Sequence, residues 1–272
     1  MSTTDFLNTD PFAAARAAAD YIAEETGVDT HDVALVLGSG WGGAADLIGE
    51  TTATLSAEEV PGFHAPAVEG HVGTIRSILT TEGKRALVLG ARTHYYEGKG
   101  VRAVVHGIRT AAAAGCSTLV LTNGCGGLNE DWAPGTPVLI NDHINLTAAS
   151  PLEGATFVDL TDLYSARIRG LAREVDSSLD EGVYAQFPGP HYETPAEVQY
   201  AKRIGADLIG MSTALEAIAG RHAGMEVFGI SLVTNLAAGI SPQPLSHQEV
   251  LESGQAAGPR ISALLAGIIA KL

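Results

Sequence analysis

The 272-residue chain is short of cations. It carries 16 lysines and arginines against 31 aspartates and glutamates, a formal net charge of −15, and its lysines are only Lys84, Lys99, Lys202 and Lys271. A nucleic-acid surface needs a field of Lys and Arg to displace counterions from phosphates. That class is excluded, and any anionic ligand must meet a few placed arginines. Cysteine is nearly absent, and Cys116 and Cys125 are too few for a disulfide framework and lack metal-ligand spacing. No apolar run approaches the ~18 residues that would span a bilayer. The opening MSTTDFLNTDPF has neither a basic start nor an apolar stretch, so the expectation is no secretory leader, a cytoplasmic location and reduced thiols. The Asn145-Leu146-Thr147 sequon is then a chance match. H-E-x-x-H, Cys/His clusters, a Walker lysine and a G-x-S-x-G elbow are all missing, which removes the metal, nucleoside-triphosphate and serine-hydrolase readings.

What is present is apolar. Hydrophobic residues make up 46% and charged residues 17%, against about 25% charged in an ordinary domain, so a large core is expected. Asp10-Pro11 reads as an N-cap and first helical residue, with Phe12, Ala15, Ala19 and Ile22 on one face and Gly27 as the stop. Val33 to Leu37 and Thr118 to Thr122 read as strands buried on both faces, each running into a glycine-rich loop, Gly38 to Gly43 and Gly124 to Gly127. A hairpin is expected around Glu82-Gly83-Lys84, a helix over Val101 to Ala114 and another around Leu163 to Glu174. Val138 to Asn141, Gly182 to Gln186 and Val227 to Thr234 read as further strands. Thr194/Glu197, Thr213/Glu216 and Ser246/Glu249 have capping-box spacing, and the last helix should bend near Gly258-Pro259. Strands alternating with helices, without a linker, predict a single α/β domain over residues 1–272, built on a mixed or mostly parallel central sheet flanked by helices.

Six segments carry candidate chemistry. Gly38-Ser39-Gly40-Trp41-Gly42-Gly43 satisfies G-x-G-x-x-G, but no second strand ending in an acidic residue follows about 20 positions later, as a dinucleotide site requires. An anion nest of glycine N–H groups with the Ser39 hydroxyl fits better, and a plain tight turn remains open. Arg92 and His94 are two residues apart after a strand end, so both side chains can face one anion; a surface ion pair is the bland alternative. Pro188 to Tyr192 hold Glu193 ahead of a helix whose capping box Glu197 already completes, which leaves Glu193 for a ligand. Gly210-Met211-Ser212 precedes another helix start, a natural anion contact. Asn235 closes a strand, and His247 begins the last helix, where the dipole favours a neutral ring.

In order and spacing these segments resemble the trimeric family of purine nucleoside phosphorylases, which also contains methylthioadenosine phosphorylase. The likeness runs from Val33 to the last helix, through Leu37-Gly38-Ser39-Gly40, Gly70-His71, Gly90 to Gly98, Asn123 with Gly126-Gly127-Leu128, Gly189 to Thr194, Gly210 to Thr213, Thr234-Asn235 and His247 to Leu251. The resemblance implies phosphate ligands at Ser39, His71, Arg92, His94 and Ser212, with backbone from Gly124. It implies Tyr96, Met211 and His247 around the ribose, Glu193 and Asn235 as the pair at the purine and Tyr192 among the nucleoside contacts, with Glu193, Asn235 and His94 nearest the chemistry. The methylthioadenosine enzymes carry aspartates and a serine in the base pocket, so Glu193 with Asn235 implies 6-oxopurine nucleosides. No cofactor or metal is implied, phosphate being a co-substrate, and a homotrimer is. Gly124 replaces a common alanine, Tyr192 a common phenylalanine, and Cys125 a small residue. The segment from Asn145 to Asp159 is shorter than in mammalian members, where it lends a phenylalanine to the neighbouring subunit; Phe157 could serve. A nucleoside sensor without catalysis and a dinucleotide-dependent oxidoreductase are the competing classes.

Overall fold

A computed structural model describes residues 10–64, 73–241 and 245–272. Helix α1 (Pro11–Thr26) starts where Asp10 Oδ1 accepts from the N–H groups of Phe12 and Ala13 (2.9 and 3.1 Å), and it stops at Gly27, whose φ of 67° closes the last turn. It buries Ala14, Ala15, Ala18, Ala19 and Ile22. Phe12, expected on that face, is 53% exposed; its ring carries the Arg109 guanidinium at 4.8 Å instead.

The strands are β1 (Val33–Val36), β2 (Gly49–Ser56), β3 (Thr74–Thr80), β4 (Arg85–Leu89), β5 (Thr118–Gly127), β6 (Pro137–Asn145), β7 (Asp180–Gln186), β8 (Leu208–Gly210) and β9 (Glu226–Leu236). They form one mixed sheet in the order β2-β3-β4-β1-β5-β8-β7-β6-β9, and β9 also pairs with β5, so the last five strands close on themselves. β3 and β4 are the expected hairpin, antiparallel, with Gly83 at φ 81° in the turn. Helices α2 (Val101–Val104), α3 (His106–Ala113), α4 (Ala166–Val175), α5 (Pro195–Arg203), α6 (Ala214–His222) and α7 (His247–Ile269) complete the fold. The α/β class with a mixed, helix-flanked sheet is as the sequence implied.

Period-two alternation divides the core. Ala34, Val36, Leu119 and Leu121 face one way, onto α1 and α3 through Ile22, Ile108 and Ala111. Val33, Leu35 and Val120 face the other, onto α4 and α7 through Ile168, Ile261 and Leu265. Among the described residues no helix is long and apolar enough to cross a membrane.

Several expectations are corrected. The helix over Val101 to Ala114 is broken at Val105, whose φ of −100° and ψ of 7° are not helical. The helix expected from Leu163 begins at Ala166, because Ser165 caps it by accepting from Ile168 N–H. Gly124 to Gly127 is strand rather than loop, since β9 pairs with it along one edge and β8 along the other. The last helix is a single element, α7, with Pro259 inside it, as expected. β8, three residues long, was not foreseen.

Candidate active site

β4, β1, β5 and β9 run parallel, so their carboxyl ends share one edge of the sheet. That edge is where open α/β sheets gather ligand groups. Leu37 to Ser39 leave β1, Ala91 to His94 leave β4, Asn123 to Gly126 lie at the end of β5, and Thr234-Asn235 at the end of β9. β8 enters from the opposite direction, antiparallel to β5, and delivers Gly210, Met211 and Ser212. These segments and the Tyr192-Glu193 loop line one cleft of about 790 Å³, its open mouth included, together with Leu245 and Val250.

The G-x-G-x-x-G turn is built for packing. Gly38 N–H is spent on Thr122 Oγ1 at 2.9 Å, so it is no anion donor, and a Cβ at Gly38 would lie 2.6 Å from the Thr122 carbonyl. Gly40 has φ 85° and packs its Cα against Gly254, and the buried Trp41 donates Nε1–H to the Asn123 carbonyl at 2.9 Å. The expected glycine nest is thus corrected at Gly38, whereas Ser39 does line the cleft.

Arg92 is 4% exposed. Its Nε donates to Glu216 Oε1 (2.9 Å) and Nη1 to the Thr122 carbonyl (2.8 Å), while Nη2 is buried with no partner. Three of five N–H donors are therefore unspent at the cleft wall. His94 lines the same wall, stacked on Tyr96 with centroids 4.9 Å apart, and its backbone N–H donates to Glu97 Oε1 at 2.7 Å. Burial opposes ionisation of Glu97, but hydrogen bonds from His94 and Lys99 hold its pKa down to about 2. The carboxylate is therefore charged beneath the imidazole. Burial pushes the Tyr96 phenol up to about 12, so it stays a neutral donor. Ser212 sits just ahead of α6, its Oγ 3.2 Å from Thr213 Oγ1. An anion can therefore be held by a guanidinium, hydroxyls and strand-end backbone in a cleft.

Another part of the wall is of opposite character. Glu193 is 7% exposed and its Oε1 is buried with no partner; burial first, then Glu197, raises its pKa against the pull of its own backbone N–H and His191. The capping box at Thr194 is completed by Glu197, whose Oε2 accepts from Thr194 N–H at 2.8 Å, so Glu193 is left over as expected. Gly189, at φ 67°, lets the loop approach the site: a Cβ there would fall 2.5 Å from Met211 Sδ and 2.9 Å from Tyr96. Asn235 Nδ2 donates to the Leu236 carbonyl at 3.1 Å, and Oδ1 lies 2.9 Å from the Thr234 hydroxyl. A carbonyl only accepts, so the Leu236 oxygen fixes which end of the amide is the donor, and one N–H of Nδ2 remains for a ligand.

The profile of the Phosphorylase superfamily matches residues 32–270. The chain belongs to the phosphorylase superfamily. It is 71% identical over 264 residues to a purine nucleoside phosphorylase of Cellulomonas, covering 96% of this chain and 94% of that one. Among solved structures, a schistosome purine nucleoside phosphorylase in complex with hypoxanthine superposes with a TM-score of 0.84 at 31% identity, covering 95% of this chain and 96% of that one. One from Schistosoma mansoni in complex with adenosine gives 0.85 at 31%, with the same coverage.

Within this superfamily member, Ser39, Arg92, His94, Tyr96, Gly124, Tyr192, Glu193, Met211, Ser212 and Asn235 all line the one cleft. Tyr192 is its most open part, 38% exposed. His71 lies outside the described residues, as does the side chain of His247, whose backbone begins α7. Four features escaped sequence reasoning: Glu216 and the Thr122 carbonyl that hold Arg92, and Thr234 and Leu236 that orient Asn235. The Thr213/Glu216 spacing was visible but read only as a cap. Cys125 is buried, its thiol pushed up to about 12 by burial, which leaves it inert packing.

Proposed function

We propose that the chain catalyses the reversible phosphorolysis of purine nucleosides, giving the free base and (deoxy)ribose 1-phosphate, and that its base pocket is built for 6-oxopurines. The observation that carries this reading is one cleft holding both a buried guanidinium with unspent donors and a buried carboxylate with an unpartnered oxygen. The 71% identical relative named for this activity supports it.

In the reaction a phosphate oxygen bonds to C1′ as the bond to purine N9 breaks, and the bonding electrons leave with the base. Phosphate held by Arg92, His94, Ser39, Ser212 and the Gly124 backbone, with His71, is both nucleophile and counter-charge to the cationic sugar. The free N–H of Asn235 meets charge developing at N7 and O6. The Glu193 carboxylate accepts from N1–H and, for guanine, from the 2-amino group. Tyr96, Met211, Tyr192 and His247 enclose the ribose and base. Atoms and electrons balance without a cofactor, and turnover is expected to survive excess chelator.

Base choice follows from the same pair. Adenosine presents a bare N1 lone pair to the Glu193 carboxylate and N–H groups to the Asn235 donor, so both polar partners go unmet. A Schistosoma mansoni relative of the same fold is crystallised in complex with adenosine, so the fold alone does not carry the proposed discrimination. Difference absorbance on inosine, guanosine, adenosine and methylthioadenosine, with and without phosphate, tests the reading: the first two should be consumed, only with phosphate, and adenosine should lag by ~10⁴. Cleavage of adenosine as fast as inosine would remove Glu193 and Asn235 as the base-reading pair. A sensor would consume nothing.

We also infer a homotrimer from the family likeness. Phe157 stands 94% exposed, an apolar ring available to a neighbour. A stable monomer in sedimentation equilibrium would refute this assembly.

A further inference from the structure

We propose that Glu216 is the positioning residue of the anion site: its two carboxylate oxygens tie the Arg92 arm and the Ser212-Thr213 arm into one rigid unit. The inference rests on the phosphorolytic reading only in naming the anion as phosphate. Glu216 is 3% exposed, and neither oxygen is idle. Oε1 accepts from Arg92 Nε at 2.9 Å and Oε2 from Thr213 N–H at 2.9 Å. The carboxylate thus couples a side chain delivered by the end of β4 to a backbone turn delivered by the end of β8.

The turn shows why a tie is needed. Thr213 has φ 84° and ψ −54°, and Ala214 N–H donates back to the Ser212 carbonyl at 3.1 Å. That is a γ-turn of the positive-φ kind, rare and strained for any residue and more so for a β-branched one. Strain of this type persists only where neighbours over-determine it. Here three contacts do so: Glu216 Oε2 on the Thr213 N–H, the Asn123 amide donating to Thr213 Oγ1 at 2.9 Å, and the Ser212 hydroxyl 3.2 Å from that same oxygen. The result turns Ser212 into the cleft beside Arg92. With Nε held by Glu216 and Nη1 by the Thr122 carbonyl, the guanidinium plane cannot rotate, and Nη2 is left for the ligand.

Two variants separate positioning from mere folding. Glu216→Gln keeps the volume but can accept at only one end, and Glu216→Asp keeps the charge but is one methylene too short to bridge both partners. Calorimetric titration with inorganic phosphate should give a dissociation constant raised about tenfold or more in each, the loss of roughly one charge-assisted hydrogen bond. The dissociation constant for hypoxanthine, which reports a folded base pocket, should stay within about twofold. Variants that melt earlier yet bind phosphate like the wild type would make Glu216 a structural residue and overturn the proposal, as would normal phosphate affinity in Glu216→Asp, which would reduce the effect to charge alone. A wild type that binds phosphate but does not cleave inosine would sink the phosphorolytic reading and leave the positioning role standing. A wild type that binds no phosphate would sink both.

Discussion

Replacing Glu193 by glutamine should make the free enzyme more stable and the working enzyme worse, by amounts that differ between inosine and guanosine. The carboxylate is 7% exposed, its Oε1 has no partner, and burial raises its pKa. With the folded pKa above the unfolded one, the folded state binds the proton more tightly. Stability therefore falls as pH rises from the ordinary carboxylate range through the raised value. An orphaned buried polar group costs about 1–3 kcal/mol, and the cleft's contact with water puts Glu193 at the low end, about 1 kcal/mol. For a chain of this length that corresponds to a Tm increase of about 2 °C at a pH where the carboxylate is charged. In turnover, inosine loses the difference between a charged and a neutral hydrogen bond, about 1.4 kcal/mol or tenfold in kcat/KM. Guanosine loses that and a second acceptor, because the glutamine N–H then faces the 2-amino group, so its loss should reach roughly 10²–10³. Thermal melts of the ligand-free proteins and initial rates on both nucleosides measure all three quantities. Equal losses for the two substrates, or a lower Tm, would show that Glu193 does not face the base edge.

Arg92→Ala should raise the phosphate requirement by a few kcal/mol while leaving hypoxanthine binding nearly unchanged; it should also lower Tm because the Glu216 carboxylate is left buried without its cation, and adding Glu216→Gln should restore Tm but not phosphate use, as melts and phosphate titrations would show. Asn235→Asp exchanges the N7/O6 donor for an acceptor, and rates should fall sharply on inosine and rise from a low base on adenosine, without reaching the wild-type rate on inosine because Glu193 still opposes N1. Burial lowers the His31 pKa from 6.5 to about 4, with Arg85 adding and Asp32 opposing. The unfolded chain takes up this proton first, so His31 costs stability as pH falls below 6.5, to about 3 kcal/mol by pH 4. Denaturant midpoints of His31→Gln should fall less steeply over that window, and an unchanged slope would refute this.

Local chemistry carried much of the fold into the sequence. Asp10-Pro11 and Gly27 bound α1 because cap and stop are made by adjacent residues, and the Glu82-Gly83-Lys84 turn sets its own hairpin. Arg92 and His94 were readable as partners because a two-residue spacing in extended chain needs no tertiary knowledge. Tertiary pairing hid the rest. Gly124 to Gly127 look like a loop until β9 pairs with all four and β8 with Gly126 and Gly127. Gly38 N–H looks free until Thr122, 84 residues away, is found to accept it. Glu216 signals a helix cap from three residues' distance, whereas its bond to Arg92 spans 124 residues and leaves no local trace.

The central claim is that phosphate, not water, takes the sugar. Phosphorus NMR of inosine with inorganic phosphate and enzyme follows it directly. A sugar 1-phosphate resonance should grow in step with hypoxanthine as the inorganic phosphate signal falls, and added sugar 1-phosphate and hypoxanthine should run the reaction backwards. Release of free ribose with the phosphate signal unchanged would contradict the account.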